Sequence, residues 1–219
     1  MTKKNIKKIL LFIGIAVFII IFIYLLYHFN IIPHKTYTNS DFNIENYISQ
    51  TDMDNDKIDD QTDILKNAKA YIKTKPKYKS KYYVGGYPDD GYGVCTDVVS
   101  FSLKNAGYDL MKLVNKDISE NRDKYNIETI DKNIDFRRVR NLKVYFENTA
   151  IQLTTDEKDI KDWQGGDIVI FKNHIEIVSD KRNRNGISLI IHHANPFQIR
   201  YEEDILENRS DIIGHYRIS

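Results

Sequence analysis

Cys95 is the side chain with the clearest potential for covalent chemistry in this sequence. It is the only cysteine in 219 residues, so no internal disulfide explains its presence. Gly91 and Gly93 supply a turn before it, and the apolar run behind it predicts a helix over residues 96–105. A thiol in the first turn of a helix lies at the positive end of the helix dipole, which favours the nucleophilic thiolate. The alternative role is that of a small buried hydrophobic side chain.

Two later segments carry histidines that could serve as the base that a thiol nucleophile requires. His174 opens an apolar run, His192 and His193 close another, and the polar residues 180–186 between the runs predict a β-hairpin. With the turn centred on residue 183, His174 lies opposite His192, about 5 Å away on the same face. His193 then points to the other face, and a one-residue slip in register exchanges the two.

An acid-rich stretch over residues 51–63 has the spacing of a calcium-binding loop. With Asp52 as position 1, carboxylates fall at positions 1, 3, 5, 9 and 12 and a backbone carbonyl at position 7, as in EF-hand-type loops. The predicted ligands are Asp52, Asp54, Asp56, Ile58, Asp60 and Asp63. Lys57 departs from the pattern, because position 6 is normally the glycine that permits the sharp turn. The alternative is an acidic, solvated linker that caps the following helix.

The amino-terminal region has the pattern of a membrane anchor. Four lysines lie in residues 1–8, and residues 9–27 follow without a charged side chain. As a helix this run is about 28 Å long, close to the thickness of the hydrocarbon core. It is longer than the apolar region of a secretory signal and has no small-residue cleavage site, so we expect an uncleaved anchor over residues 9–32. The basic flank predicts a cytoplasmic amino terminus and an extracellular remainder.

The rest of the chain predicts one α+β domain over residues 64–219. Apolar spacing indicates helices over residues 64–74, 96–105, 110–119 and 137–148, followed by strands over residues 167–172, 175–178 and 187–191. Helices first and strands later favour helices packed on an antiparallel sheet. Residues 33–50 are polar without clear periodicity and are predicted to be a linker. With 32 basic and 31 acidic residues, the chain has no basic surplus for nucleic acid.

Several segments, in this order, resemble a known family. The combination of GVCTD heading a helix, GDIV and HIEIV is similar to the NlpC/p60 superfamily of papain-like cysteine peptidases, and within it to the bacterial DUF1287 domain. The segments similar to DUF1287 are GGYPDDGYGVCTDVV, NIDFRRVRNL, GDIVIF, HIEIVSD, IIHHANP, EEDIL and IIGHYRI. The resemblance spans residues 60–219. It implies a papain-like fold and a peptidase or amidase acting on peptidoglycan peptides, with no cofactor for catalysis.

The resemblance also implies roles for individual residues. The superfamily's Cys-His-polar triad maps onto Cys95, His174 and His192. Tyr82 matches a tyrosine that lies near the nucleophile in relatives and helps to hold the oxyanion; Tyr83 is an equally placed candidate. Glu176 replaces the small residue usual two positions after the base, and His193 stands where relatives often carry asparagine, so either histidine could complete the triad.

Two other functions compete with hydrolysis by a thiol. A non-catalytic wall-binding or scaffolding module would keep the fold and use the cleft for recognition, but it has no need for a nucleophile. A zinc hydrolase could use His174, Glu176, His192 and His193 as ligands, and the His-x-Glu spacing does place two of them on one strand face. A zinc site leaves Cys95 without a role.

Overall fold

The computed structural model describes residues 3–28 and 31–218, which divide into two compact units, Met1–Lys35 and Thr36–Ser219. Six α-helices lie within the described residues: α1 (Lys3–His28), α2 (Asp60–Lys73), α3 (Cys95–Asn105), α4 (Leu110–Glu120), α5 (Lys132–Asp135) and α6 (Val139–Thr149). The strands are β1 (Lys77–Tyr78), β2 (Tyr92–Gly93), β3 (Ile151–Gln152), β4 (Ile168–Phe171), β5 (Ile175–Arg182), β6 (Ser188–Ile191), β7 (Glu202–Glu203) and β8 (Ile212–Arg217). Mixed helix and sheet confirms the predicted α+β class.

The first unit is built around the single helix α1. Its stretch Asn5–His28 has 24 residues and a mean hydropathy of 3.3, so it is long and apolar enough to cross a membrane, as a signal sequence also can be. The predicted anchor over residues 9–32 includes residues 29 and 30, and the basic flank includes residues 1 and 2. Those four positions lie outside the described residues.

The second unit contains an antiparallel sheet of six strands in the order β3-β8-β4-β5-β6-β7. The centre of this sheet is β4 and β5, whose residues are almost all buried. The strands predicted over residues 167–191 are present, and the predicted hairpin is β5 and β6. The edge strands β3 and β7 and the inner strand β8 had no corresponding prediction.

Each face of the sheet carries its own apolar core. On one face, Ile168, Ile170, Ile175 and Ile177 pack against the helices, in a cluster that also contains Cys95. On the other face, Val169 and Val178 join a smaller cluster around Trp163 and Leu206. Because successive side chains of a strand alternate between faces, Ile175 and Ile177 of β5 pack in the core that contains Cys95, and Val178 packs in the other.

The segment predicted to be a linker, residues 33–50, is instead docked on the second unit from Thr36 onward. Tyr37 forms an antiparallel bridge with Arg182, whose guanidinium Nε donates to Asn39 Oδ1 at 2.5 Å. The amide of Asn39 in turn donates to Gln164 Oε1 at 2.8 Å. The prediction failed because polar side chains hold this segment, and polar contacts leave no apolar periodicity in a sequence.

Candidate active site

The turn before Cys95 is held by a capping carboxylate. Asp97 Oδ2 accepts the backbone N–H of Val94 at 2.8 Å, which satisfies a donor at the start of α3. Asp97 is completely buried and forms a two-pronged ion pair with Arg137, Nε to Oδ1 at 2.7 Å and Nη2 to Oδ2 at 2.8 Å. The same guanidinium donates to the carbonyl of Lys81 at 2.8 Å. One buried arginine thus connects the turn before Cys95 to the loop that contains Lys81.

Gly93 is required by the close packing of this turn. A Cβ at Gly93 would come within 2.2 Å of the Tyr71 hydroxyl and 3.5 Å of Asp97. The strand residues Tyr78 and Gly93 pair in parallel register, so the chain before the nucleophile is also fixed by β1. Cys95 follows as the first residue of α3, one residue earlier than the predicted helix start.

The Cys95 thiol is buried, with 8% of the residue exposed. Burial raises the pKa of this thiol to about 11, and the charge of Glu176 adds to the rise, although the N–H of Ile175 donates to the sulfur and opposes it. Burial therefore outweighs the helix dipole, which was expected to favour the thiolate. At neutral pH Cys95 is a thiol, and a base must remove its proton before it can attack.

His174 is the residue before Ile175, whose backbone N–H donates to the Cys95 sulfur. It is half-buried, and its Nδ1 has no hydrogen-bond partner among the described residues. Burial lowers the pKa of His174, and the nearby Glu176 carboxylate opposes that change. A neutral imidazole is the state in which a histidine can act as a general base.

The hairpin register differs from the prediction. Ile177 pairs with Ile191 and Val178 with Ile190, so continuing the ladder places Glu176, not His174, opposite His192. The turn is centred on residue 185 instead of 183, because Arg182 pairs with Ser188, and a bulge between Val178 and Arg182 reverses part of this displacement. The shift is two residues, so His174 and His192 keep the predicted common face of the strand pair.

His192 lies between two carboxylates. Its Nδ1 is 3.4 Å from Glu176 Oε1, and its Nε2 is 2.8 Å from Glu203 Oε2. Burial alone would lower the pKa of His192, but these two acids outweigh it and raise the pKa to about 9. Sequence reasoning missed Glu203. Glu203 lies in the segment EEDIL, which was part of the family resemblance. No local pattern in the sequence predicts the pairing of β6 with β7 that brings Glu203 to His192.

His193 lies against tyrosines. Its ring centroid is 5.3 Å from that of Tyr78, nearly perpendicular, and 5.1 Å from that of Tyr201. Burial lowers the pKa of His193 to about 4, and the charge of His192 adds to the effect. His193 is therefore a neutral packing residue at the edge of the site.

The tyrosine beside the nucleophile is Tyr78. The pKa of Tyr78 is raised by burial and by the charge that Cys95 carries when ionised. Tyr82 is instead 52% exposed, and its hydroxyl accepts from Asn133 at 3.1 Å. The Tyr83 hydroxyl donates to Asp90 at 2.8 Å. The predicted oxyanion role of Tyr82, like the alternative at Tyr83, is thus not supported by the contacts of either hydroxyl.

The acid-rich loop gathers three of the predicted calcium ligands. Carboxylate oxygens of Asp52, Asp54 and Asp56 lie within 4.8 Å of one another. Lys57 has a φ of 75°, the left-handed conformation for which glycine is preferred at this position of the loop. The carboxylates also cap the loop: Asp52 Oδ2, for example, accepts the N–H of Lys57 at 2.9 Å. Calcium binding itself stays a prediction.

The last two predicted carboxylates have other partners. Asp60 accepts the Tyr108 hydroxyl at 2.5 Å and the N–H of Met53 at 2.8 Å, and it is almost fully buried. Asp63 is also buried and accepts the amide of Asn67 at 2.9 Å. Both belong to the first turn of α2. Of the predicted carboxylate ligands, the structure therefore gathers the first three, and the full set stays a prediction.

The four side chains of the zinc alternative do not converge. Within residues 3–28 and 31–218, the Asp52 cluster is the one group of three or more metal-binding side chains whose ligand atoms lie close together. Asp167 of the GDIV motif is likewise structural: it is buried and receives two hydrogen bonds from Arg217, at 2.7 and 2.8 Å.

Comparison with known proteins places these residues in a family. A family model described as a domain of unknown function (DUF1287) matches residues 65–218. The "Uncharacterized protein YijF" of Escherichia coli (strain K12) is 38% identical over 151 residues, which cover 65% of this chain and 72% of that protein. No solved structure matches. The NlpC/p60 superfamily relationship stays a prediction, and the chain belongs to the DUF1287 family.

Proposed function

We propose that this protein is a membrane-anchored cysteine amidase or endopeptidase that cleaves peptides of peptidoglycan. The observation that carries the proposal is the position of Cys95: it heads α3 in a turn fixed by a buried ion pair, and its sulfur meets the chain directly after His174. A lone buried thiol in an apolar core would need neither the turn nor a neutral histidine at the neighbouring position of the chain that it contacts.

The proposed mechanism begins with a protonated thiol. His174 takes the Cys95 proton as general base, and the thiolate attacks the amide carbonyl to form a thioester. The backbone N–H of Cys95 lies in the first turn of α3, where such groups lack intrahelical partners, and is suited to stabilise the oxyanion. His174 then protonates the leaving amine, and water releases the acid.

The cellular setting supports the choice of substrate. The span Asn5–His28 within α1 can serve as an anchor, and its basic flank favours a cytoplasmic amino terminus. The domain from Thr36 onward would then lie outside the membrane, where peptidoglycan is the amide-rich polymer that the family resemblance also implies. Structural calcium at Asp52, Asp54 and Asp56 is part of the same proposal.

A second candidate is a non-catalytic wall-binding module. The burial of Cys95 and its raised pKa favour this alternative, because both lower the reactivity of the resting thiol. The two functions differ in what Cys95→Ala does: a binding module keeps its affinity for purified walls, and a hydrolase loses fragment release.

The experiment compares the full-length protein in detergent with its Cys95→Ala and His174→Ala variants on purified peptidoglycan. Both variants should release no peptide fragments above the background of heat-inactivated protein. A control variant, Ser119→Ala, changes an exposed side chain of α4 that bonds only its own helix backbone and should retain full release. Equal release by wild type and Cys95→Ala would exclude the mechanism.

A further inference from the structure

The neighbourhood of His192 determines how many protons its ring carries. Carboxylate oxygens face both ring nitrogens, Glu176 at 3.4 Å and Glu203 at 2.8 Å. A carboxylate can only accept, whereas a neutral imidazole has one donor and one acceptor nitrogen. The Nε2 hydrogen bond to Glu203 and the Glu176 carboxylate at ion-pair distance from Nδ1 both favour the protonated ring, so His192 is an imidazolium.

An imidazolium cannot do what a triad's third member does. That member accepts the N–H of the base and stabilises the positive charge that the base acquires. His192 has no acceptor nitrogen left and carries a positive charge of its own, which would oppose a second charge on His174. The third position must therefore be supplied by another side chain.

Glu176 has the required position. It follows His174 by two residues, so the two side chains share a face where the strand begins. Glu176 is 0% exposed, and neither carboxylate oxygen has a hydrogen bond of good geometry among the described residues. Nδ1 of His174 is likewise buried without a partner. A buried acceptor and a buried ring nitrogen thus lie at adjacent positions of one face.

We propose that Glu176 is the acidic partner of His174 and that His192 is the counter-ion of the Glu176 carboxylate. The inference rests on the proposed function, since it assigns a positioning residue to the Cys95–His174 pair. A buried carboxylate is strongly disfavoured unless a counter-charge lies beside it, and His192 supplies that charge. Glu203, on β7, bonds Nε2 of His192 and holds the imidazolium in place.

Glu176 does not take the proton from His174 at any step. When His174 takes the proton of Cys95, one imidazolium forms beside Glu176, and the carboxylate stabilises it without accepting the proton. The other charged groups around His174 are Arg209 and Asp211, which neutralise each other through contacts of 2.7 and 2.9 Å. Asp97, which also faces Cys95, is neutralised by its buried arginine.

The test is the pH profile of Cys95 alkylation by iodoacetamide, measured by mass spectrometry on the full-length protein in detergent. Removing the charge with Glu176→Gln should lower the pKa of the thiol and of His174. A thiol pKa lowered by about 1 makes alkylation about tenfold faster at any given pH below that pKa. His192→Lys keeps the positive charge without an imidazole, and its profile should stay within about threefold of wild type. Glu202→Gln is the matched control, since Glu202 bonds Ser179 and Lys181 instead.

Specific results would overturn the inference. An unshifted profile for folded Glu176→Gln shows that its carboxylate does not act on the pair. A His192→Lys profile that departs from wild type by more than about tenfold shows that the imidazole itself is required, and this variant decides the matter if Glu176→Gln does not fold. Alkylation needs no wall substrate, so the two proposals can fail separately. If the alkylation profiles are as expected but the protein does not cleave peptidoglycan, the proposed function is refuted and the role of Glu176 is not.

Discussion

The ion pair between Arg137 and Asp97 should be the most costly contact to break around Cys95. Arg137→Met keeps most of the side-chain length but removes the guanidinium. The Asp97 carboxylate, 0% exposed, then loses two hydrogen bonds and the positive charge that neutralises it. Breaking a buried pair by removing one partner typically costs about 3–5 kcal/mol. Since domains of this size are stable by about 5–15 kcal/mol, this is a large share of the total.

The adjacent residue provides a matched control. Arg138 carries the same charge, but its side chain is 39% exposed and it meets Asp135 through one contact of 3.2 Å. Arg138→Met should therefore cost no more than about 1 kcal/mol. Urea unfolding of the full-length protein in detergent can be followed by fluorescence, because Trp163 is the only tryptophan and is fully buried.

The comparison can refute the reasoning in two ways. Equal losses of unfolding free energy in the two variants would show that burial of the Arg137 pair does not matter. A loss below about 1 kcal/mol for Arg137→Met would show that Asp97 is solvated or protonated instead of ion-paired. Adding Asp97→Asn to Arg137→Met should recover part of the loss, because the double variant leaves no uncompensated charge.

Two further predictions concern the acids and histidines of the domain. The folded pKa of His192, about 9, lies above its ordinary value of 6.5, so its contribution to stability is complete below pH 6.5 and is lost as pH rises through 9. The loss of unfolding free energy between these pH values, at most about 3 kcal/mol, can be measured by denaturant unfolding across the range and should be absent in His192→Gln. The same pH dependence in wild type and His192→Gln would refute the ion pair. Millimolar calcium should raise the melting temperature of wild type and of the control Asp123→Ala but not of Asp54→Ala. A melting temperature insensitive to calcium would reduce the Asp52 cluster to a capped loop.

The sequence was sufficient for the elements that carry the nucleophile. Glycines before Cys95 and an apolar period behind it are local signals, and the structure has both the turn and α3. The strands β4, β5 and β6 follow for the same reason, because their apolar runs are continuous and flanked by turn residues. What a local pattern encodes could be predicted.

The errors arose where position depends on distant polar contacts. The hairpin turn lies two residues later than predicted, between Arg182 and Ser188, and this leaves the alternation of apolar residues unchanged, so Glu176 took the place predicted for His174. Asn39 and its partner Arg182 are far apart in sequence, and the docked segment was predicted to be a linker. Asp60 had the spacing of a calcium ligand, but α2 gives it a tyrosine partner instead.

The central claim is that Cys95 hydrolyses an amide bond of peptidoglycan, and mass spectrometry of the soluble products tests it most directly. Wild type incubated with purified peptidoglycan should yield peptide fragments that each gain one water across a single type of amide bond. Cys95→Ala, shown to be folded by the buried Trp163 signal, should yield none. The same fragments from both proteins, or no fragments from either under conditions where the protein binds walls, would contradict the claim.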